Sequence, residues 1–218
     1  MSLEMMDEHE RGERVRRWLH DNSGSLLGGI AAGLLCFFGW QWWQDSSLQA
    51  VQAAATDFRA LSDAAERKDV ELIDTLSKSL KDNHPETAFS AMAQMQLAAT
   101  RLAANDIDGA LQALETAENT AQNPNLKALA RLRIARVQLA AGRADDALVS
   151  VGTLPAAFRG IADEVRGDAL LASGQREEAI KAYEDALTHL DPGAPTRGMV
   201  QLKLDDVGAV TDVLAGKS

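Results

Sequence analysis

The chain carries one cysteine, Cys36, five prolines in 218 residues, and only 5% aromatic side chains. A lone thiol cannot close an intramolecular disulfide, and without a second Cys or a spaced His it cannot build a structural zinc site. The four histidines, His9, His20, His84 and His189, are scattered. There is no Gly-x-Ser-x-Gly elbow, phosphate loop or dinucleotide fingerprint, so hydrolytic and nucleotide-dependent chemistries lack a foothold. The carboxylate pairs Asp145-Asp146 and Glu177-Glu178 fall at expected helix starts, where the helix dipole accounts for them. The expectation is a protein that is not an enzyme and takes no cofactor, metal or small-molecule substrate. Cations are outnumbered as well, 22 against 32 acidic residues, for a net charge of −10. Such a chain is a poor partner for nucleic acid, whose phosphates need clustered Lys and Arg. Strand-like alternation is also missing. From Ser46 onward the chain is built of Ala, Leu, Gln, Glu and Arg, so the fold class expected is all-α.

Charge disappears altogether between Asp21 and Asp45, leaving 23 consecutive uncharged residues, Asn22 to Gln44. As a helix this run is roughly 34 Å long at about 1.5 Å per residue, enough for a hydrocarbon core of about 30 Å. It is longer than the apolar core of a secretory signal and has no small-residue cleavage site directly behind it. Trp40, Trp42 and Trp43 cluster at one end and Trp18 lies before the other, as interfacial anchors do. The reading is a 1–21 tail, a 22–44 transmembrane helix and a 46–218 exported domain. Arg11, Arg14, Arg16 and Arg17 precede the run and the next basic residue is Arg59, so the tail stays cytoplasmic. The tail is expected to be mostly flexible, turning helical near the bilayer. After Gln44 the helix either continues into Leu48–Glu66 or breaks at Asp45-Ser46-Ser47. Gly29 and Gly33 have the small-x-x-x-small spacing that lets a second helix approach, although such spacing often only faces lipid.

A repeat then organises the exported part. Asn105-Asp-Ile-Asp-Gly-Ala110, Gly142-Arg-Ala-Asp-Asp-Ala147 and Gly174-Gln-Arg-Glu-Glu-Ala179 share one turn, spaced 37 and 32 residues apart. Gly or Asn suits the left-handed residue that ends a helix, the acids favour the start of the next, and the Ala marks a close crossing. The spacing brackets the 34-residue tetratricopeptide period. Helix pairs are expected over Glu86–Asn119, Pro124–Leu154 and Pro155–Leu190. A degenerate pair at Leu48–Lys81, broken near Arg67-Lys68-Asp69, precedes them, and a closing helix near Thr196–Val207 follows. The architecture is a single transmembrane helix followed by a tetratricopeptide-like helical-hairpin solenoid.

With these features in place the chain resembles the YfgM-type ancillary SecYEG translocon subunit family. The resemblance rests on the tail–span–repeat layout and on Asn125-Leu-Lys-Ala128, Leu132-Arg-Ile-Ala-Arg-Val-Gln138, Val165-Arg-Gly-Asp-Ala-Leu-Leu171 and Met199-Val-Gln-Leu-Lys203. It departs from the family in the acidic stretch Met1–Glu13 and in the extension after Lys203. The resemblance implies the inner membrane of a Gram-negative bacterium, a periplasmic repeat domain, and association with SecYEG and with the anchored chaperone PpiD. It implies a non-catalytic accessory role for proteins emerging across the membrane. Two other functions fit the same layout, a stand-alone membrane-anchored holdase and an anchored regulator sequestering a cytoplasmic signalling protein.

Solenoids of this kind bind proteins on the wall formed by the first helix of each pair. The tetratricopeptide register puts Met92, Met95, Ala99 and Leu102 there, then Leu129, Leu132, Arg136 and Leu139, then Ile161, Glu164, Asp168 and Leu171. The expectation is a Met- and Leu-lined groove with few fixed charges, adaptable to varied segments. A shift of one or two residues turns several of these into core positions. Arg131, Arg133 and Arg136 form a basic cluster that either pairs with Asp163, Glu164 or Asp168 or clamps a partner carboxylate.

Overall fold

The computed structural model describes the backbone of residues 2–214, with the side chains of residues 2–12, 14, 15, 26, 27, 30, 43, 45–47 and 209–214 outside that description. Among the described residues there are nine α-helices and one short 3-10 turn, and no strand. They are α1 (Ser2–Glu66), α2 (Val70–Asn83), α3 (Ala88–Ala103), α4 (Ile107–Thr120) and α5 (Pro124–Ala140). Then come α6 (Ala144–Gly152), the 3-10 turn Ala156–Phe158, α7 (Arg159–Ala172), α8 (Arg176–His189) and α9 (Arg197–Leu214). The chain divides into two compact units, Met1–Ala50 and Val51–Ser218.

In the first unit the helix is already formed at Ser2, where a mostly flexible tail was expected, and α1 does not break at Asp45-Ser46-Ser47. Its apolar side chains stand open: Leu34, Leu35, Phe37, Phe38, Trp40 and Trp42 are each at least half exposed. A Cβ added at Gly28, Gly29, Gly33 or Gly39 would meet nothing within 4 Å. Among the described residues no helix is long and apolar enough to cross a membrane. Leu26, Leu27 and Ile30, three of the most apolar residues of the expected span, lie outside the described side chains.

The second unit is a stack of helical hairpins. The expected turns each hold a left-handed residue: Asn105 at φ 59°, Gly142 at 75° and Gly174 at 78°. A fourth, Lys68 at φ 57°, closes the degenerate first pair, 37 residues before Asn105. All four turns share one hydrogen-bond pattern. The amide after the left-handed residue donates five residues back, Asp69 to Ala64, Asp106 to Arg101, Arg143 to Gln138 and Gln175 to Leu170. This is the Schellman closure, which satisfies carbonyls that a helix end would otherwise orphan. Side-chain caps open two of the helices that follow, with Asp69 accepting from Leu72 N at 3.1 Å and Asp106 from Gly109 N at 2.9 Å, whereas α6 and α8 start without one.

Aligning the hairpins on these turns exposes their packing rule. Seven residues before the turn stand Leu61, Ala98, Ala135 and Gly167, and nine after it stand Ser77, Leu114, Val151 and Tyr183. All eight are buried. Where one member is large, the other is small. At the extreme, a Cβ on Gly167 would lie 2.5 Å from the Tyr183 ring, and Tyr183 is the largest fully buried side chain. Ile73, Ala110, Ala147 and Ala179, five after the turn, are also at most 1% exposed.

Neighbouring hairpins bury their remaining apolar faces against each other, as α2 on α3, α4 on α5, α6 on α7 and α8 on α9. The first helices of successive pairs also touch, α3 with α5 and α5 with α7. Polar links cross the first junction, where Ser77 Oγ donates to Ala93 O, Gln94 Nε2 to Ser77 O at 3.0 Å, and Arg101 Nη2 to Asp74 Oδ1. The closing helix begins near the expected place but runs to Leu214 rather than ending at Val207.

Two substitutions test the rule. Gly167→Ala, normally favourable in a helix interior, is expected to destabilise the repeat domain by about 1–3 kcal/mol, because the buried Tyr183 ring cannot yield. Lys68→Gly is expected to stabilise it by about 0.5–1 kcal/mol by removing a left-handed non-glycine. Urea unfolding of each variant reads both signs.

A candidate protein-binding wall

The open faces of α3, α5 and α7 form the wall, but not with the lining the repeat register predicts. Met95 and Leu132 are 4% and 3% exposed and belong to the core. They sit one helical step inside the rim, packed in the clusters around Leu114 and around Val165. Leu102 and Leu129 are half-buried against the α3–α4–α5 core, and Leu139 and Ile161 against the next. Leu171 is half-buried against the core beneath α9. Of the expected lining, only Met92, Ala99 and Arg136 are exposed. Beside Ala99 a cleft of about 410 Å³ opens between Ala65, Val70, Gln96 and Ala103.

On α7 the wall is ionic. Lys203 of α9 donates to Glu164 Oε1 at 2.8 Å and to Asp168 Oδ2 at 2.7 Å. Tyr183 OH donates to the other Asp168 oxygen at 2.8 Å. Glu164 Oε2 is buried without a hydrogen bond, and Arg136 Nη2 stands 3.9 Å from it. Burial pushes the Tyr183 hydroxyl well above its ordinary value of 10.0, and the bond to Asp168 pushes it further. For Lys203 burial pulls downward, but the hydrogen bonds to Asp168 and Glu164 outweigh it and hold the ammonium above its usual 10.5.

The basic cluster splits three ways. Arg131 pairs with Glu118 in the preceding hairpin and donates to Thr153 Oγ1 at 2.9 Å, rather than reaching Asp163 or Asp168. Arg136 approaches Glu164. Arg133, exposed, makes no ion pair or hydrogen bond among the described residues. Asp163 is held by Arg166 at 3.0 Å and His189 Nδ1 at 2.8 Å. The Lys203 contacts span 35 and 39 residues and carry no local signal in the sequence. Among the described residues no group of His, Cys, Asp and Glu is placed to hold a metal ion. Of the expected membrane anchors, Trp18, Trp40 and Trp42 are exposed, and the Trp43 side chain lies outside the described residues.

A solenoid of helical hairpins defines a tetratricopeptide-like repeat protein, and comparison with known proteins agrees. The chain belongs to the tetratricopeptide repeat-like domain family, whose model matches residues 16–209. It is related along nearly its whole length to proteins named "Ancillary SecYEG translocon subunit". The Escherichia coli (strain K12) protein is 26% identical over 92% of this chain and 97% of its own length. That of Neisseria gonorrhoeae (strain ATCC 700825 / FA 1090) is 28% identical over 93% and 98%. Among solved structures, MamA from Desulfovibrio magneticus RS-1 superposes with a TM-score of 0.53 at 18% identity, covering 75% of this chain and 92% of that one. That likeness establishes the fold.

The ionic wall makes a prediction of its own. Lys203→Met leaves Glu164 and Asp168 with Arg136, 3.9 Å from Glu164, as their remaining counter-charge, and is expected to cost about 1–3 kcal/mol of stability. Because the folded-state pKa of Lys203 is raised, its contribution is full below about pH 10.5 and fades as pH rises further. Denaturation of both forms at pH 8 and pH 11.5 should show the gap between them narrowing at the higher pH.

Proposed function

We propose that this chain is a non-catalytic accessory subunit of the SecYEG translocon, held in the bacterial inner membrane by residues 22–44 with its N-terminus cytoplasmic. In this reading the repeat domain lies in the periplasm and recruits a PpiD-like chaperone to proteins emerging across the membrane. The observation that carries it is the end-to-end relation to proteins named as ancillary SecYEG translocon subunits, which spans 97–98% of two of those relatives. Several features support the anchor. Twenty-three uncharged residues stand in one helix, and the large side chains described there are open rather than packed on protein. In water such exposure is unfavourable, at about 25 cal/mol per Å² of apolar surface; in lipid it is the ordinary state. The four arginines ahead of the run set the direction.

Purification of the tagged full-length chain from inner membranes in mild detergent is expected to recover SecYEG together with a PpiD-type chaperone. Recovery without SecYEG refutes the accessory role. Alkaline carbonate should leave the chain in the membrane pellet, and its release to the supernatant refutes the anchor.

A further inference from the structure

Charge is distributed very unevenly over the first helices. In a chain of net charge −10, α3 holds Arg101 as its one charged residue, and α5 holds Lys127, Arg131, Arg133 and Arg136 with no carboxylate at all. Arg101 is engaged with Asp74 and Asp106, and Arg131 with Glu118. Arg133 and Arg136 are the exposed pair, three residues apart on one helical face. The carboxylates that face them come from α7, and all of their oxygens but Glu164 Oε2 are served from α7 itself, α8 and α9. Asp168 gives one oxygen to Lys203 and the other to Tyr183, and Glu164 gives one to Lys203. Arg136 makes one loose ion pair with the remaining Glu164 oxygen, at 3.9 Å and beyond hydrogen-bond reach, which leaves the rest of its guanidinium open. α3 touches α5, and its exposed side chains include Met92, 37% exposed, Ala99 and Ala103, which carry no charge.

We infer that the α3–α5 face is a docking site for a protein segment bearing carboxylates, gripped by Arg133 and Arg136 with its apolar side chains against Met92, Ala99 and Ala103. This rests on the protein-binding role proposed above and names the chemistry of the partner. Charge complementarity selects the occupant. A guanidinium fork binds a carboxylate through two parallel hydrogen bonds, and two such forks on one face favour a segment with paired acids or a chain terminus next to one. An anionic bilayer is the weaker candidate. It would have to approach a domain that is strongly acidic outside this face, whereas a narrow segment meets only the arginines.

Fluorescence anisotropy on the full-length chain in detergent tests the site, using a fluorescein-labelled peptide of mixed Glu, Ala and Leu and its counterpart with Gln for every Glu. The Glu peptide is expected to bind and the Gln peptide to bind about tenfold more weakly. Arg133→Gln with Arg136→Gln should weaken the Glu peptide about tenfold, and Arg133→Lys with Arg136→Lys should retain part of the binding by keeping charge without the fork. Arg143→Gln, which removes one exposed cation at the α5–α6 turn, should leave binding unchanged. Failure of the Glu peptide to bind, equal binding of both peptides, or no effect of the double Gln variant overturns the site. So does capture by anionic phosphatidylglycerol vesicles in preference to the peptide. Circular dichroism melts of each variant report folding, and SecYEG recovery is scored on the same preparations. Absence of SecYEG with the unsubstituted chain counts against the translocon role alone and leaves the peptide result standing.

Discussion

Each hairpin is governed by how closely its two helices cross. The equivalent buried positions of the four repeats carry different pairs, Leu61 and Ser77, Ala98 and Leu114, Ala135 and Val151, Gly167 and Tyr183, and in the last the Tyr183 ring fills the place of a side chain on Gly167. Interiors pack at crystal-like density, so an added methylene on one side has to be given up on the other. The last solution has consequences further out. A buried tyrosine must satisfy its hydroxyl, which fixes Asp168, and a fixed carboxylate beside Glu164 requires a cation. Lys203 supplies it, so the closing helix is tied to the wall of α7 by ionic contacts as well as by Val200 and Val207.

That chain of requirements also divides the wall. Toward α7 the surface is polar and its acids are largely held within the fold, by Arg166 of α7 and by side chains of α8 and α9. On α5 Arg133 and Arg136 face outward without full partners, and on α3 the open residues are small or apolar. Surface ion pairs are commonly worth little, and several here, such as Arg143 with Asp108, fit that description. Arg133 and Arg136 differ: Arg133 has no ion pair among the described residues, and Arg136 has only the long 3.9 Å contact with Glu164. Cations so placed in an acidic domain favour the anionic part of a partner over the domain's own surface.

Much of this was legible in the residues. The turns at Asn105, Gly142 and Gly174 announce themselves, because a left-handed helix end needs Gly or Asn and the acids that follow suit a helix start. The first turn falls where the break near Arg67-Lys68-Asp69 is expected, although its left-handed residue is Lys68, which has no preference for that conformation. The wall was read with less success. Periodicity gives the core face of a helix to within a residue or so, and a step of one residue is about 100° of rotation. That is enough to place Met95 and Leu132 on an open surface when both are inside.

From its residues alone the chain could be recognised as an uncharged run followed by all-α hairpins, with its relatives and its acidity, because these depend on local propensity and on pattern along the chain. Which arginine pairs with which carboxylate, and the reach of Lys203 across 35 and 39 residues, came only from the folded stack. Those contacts join side chains whose distance is set by how three helices pack, and no property of any one segment encodes it.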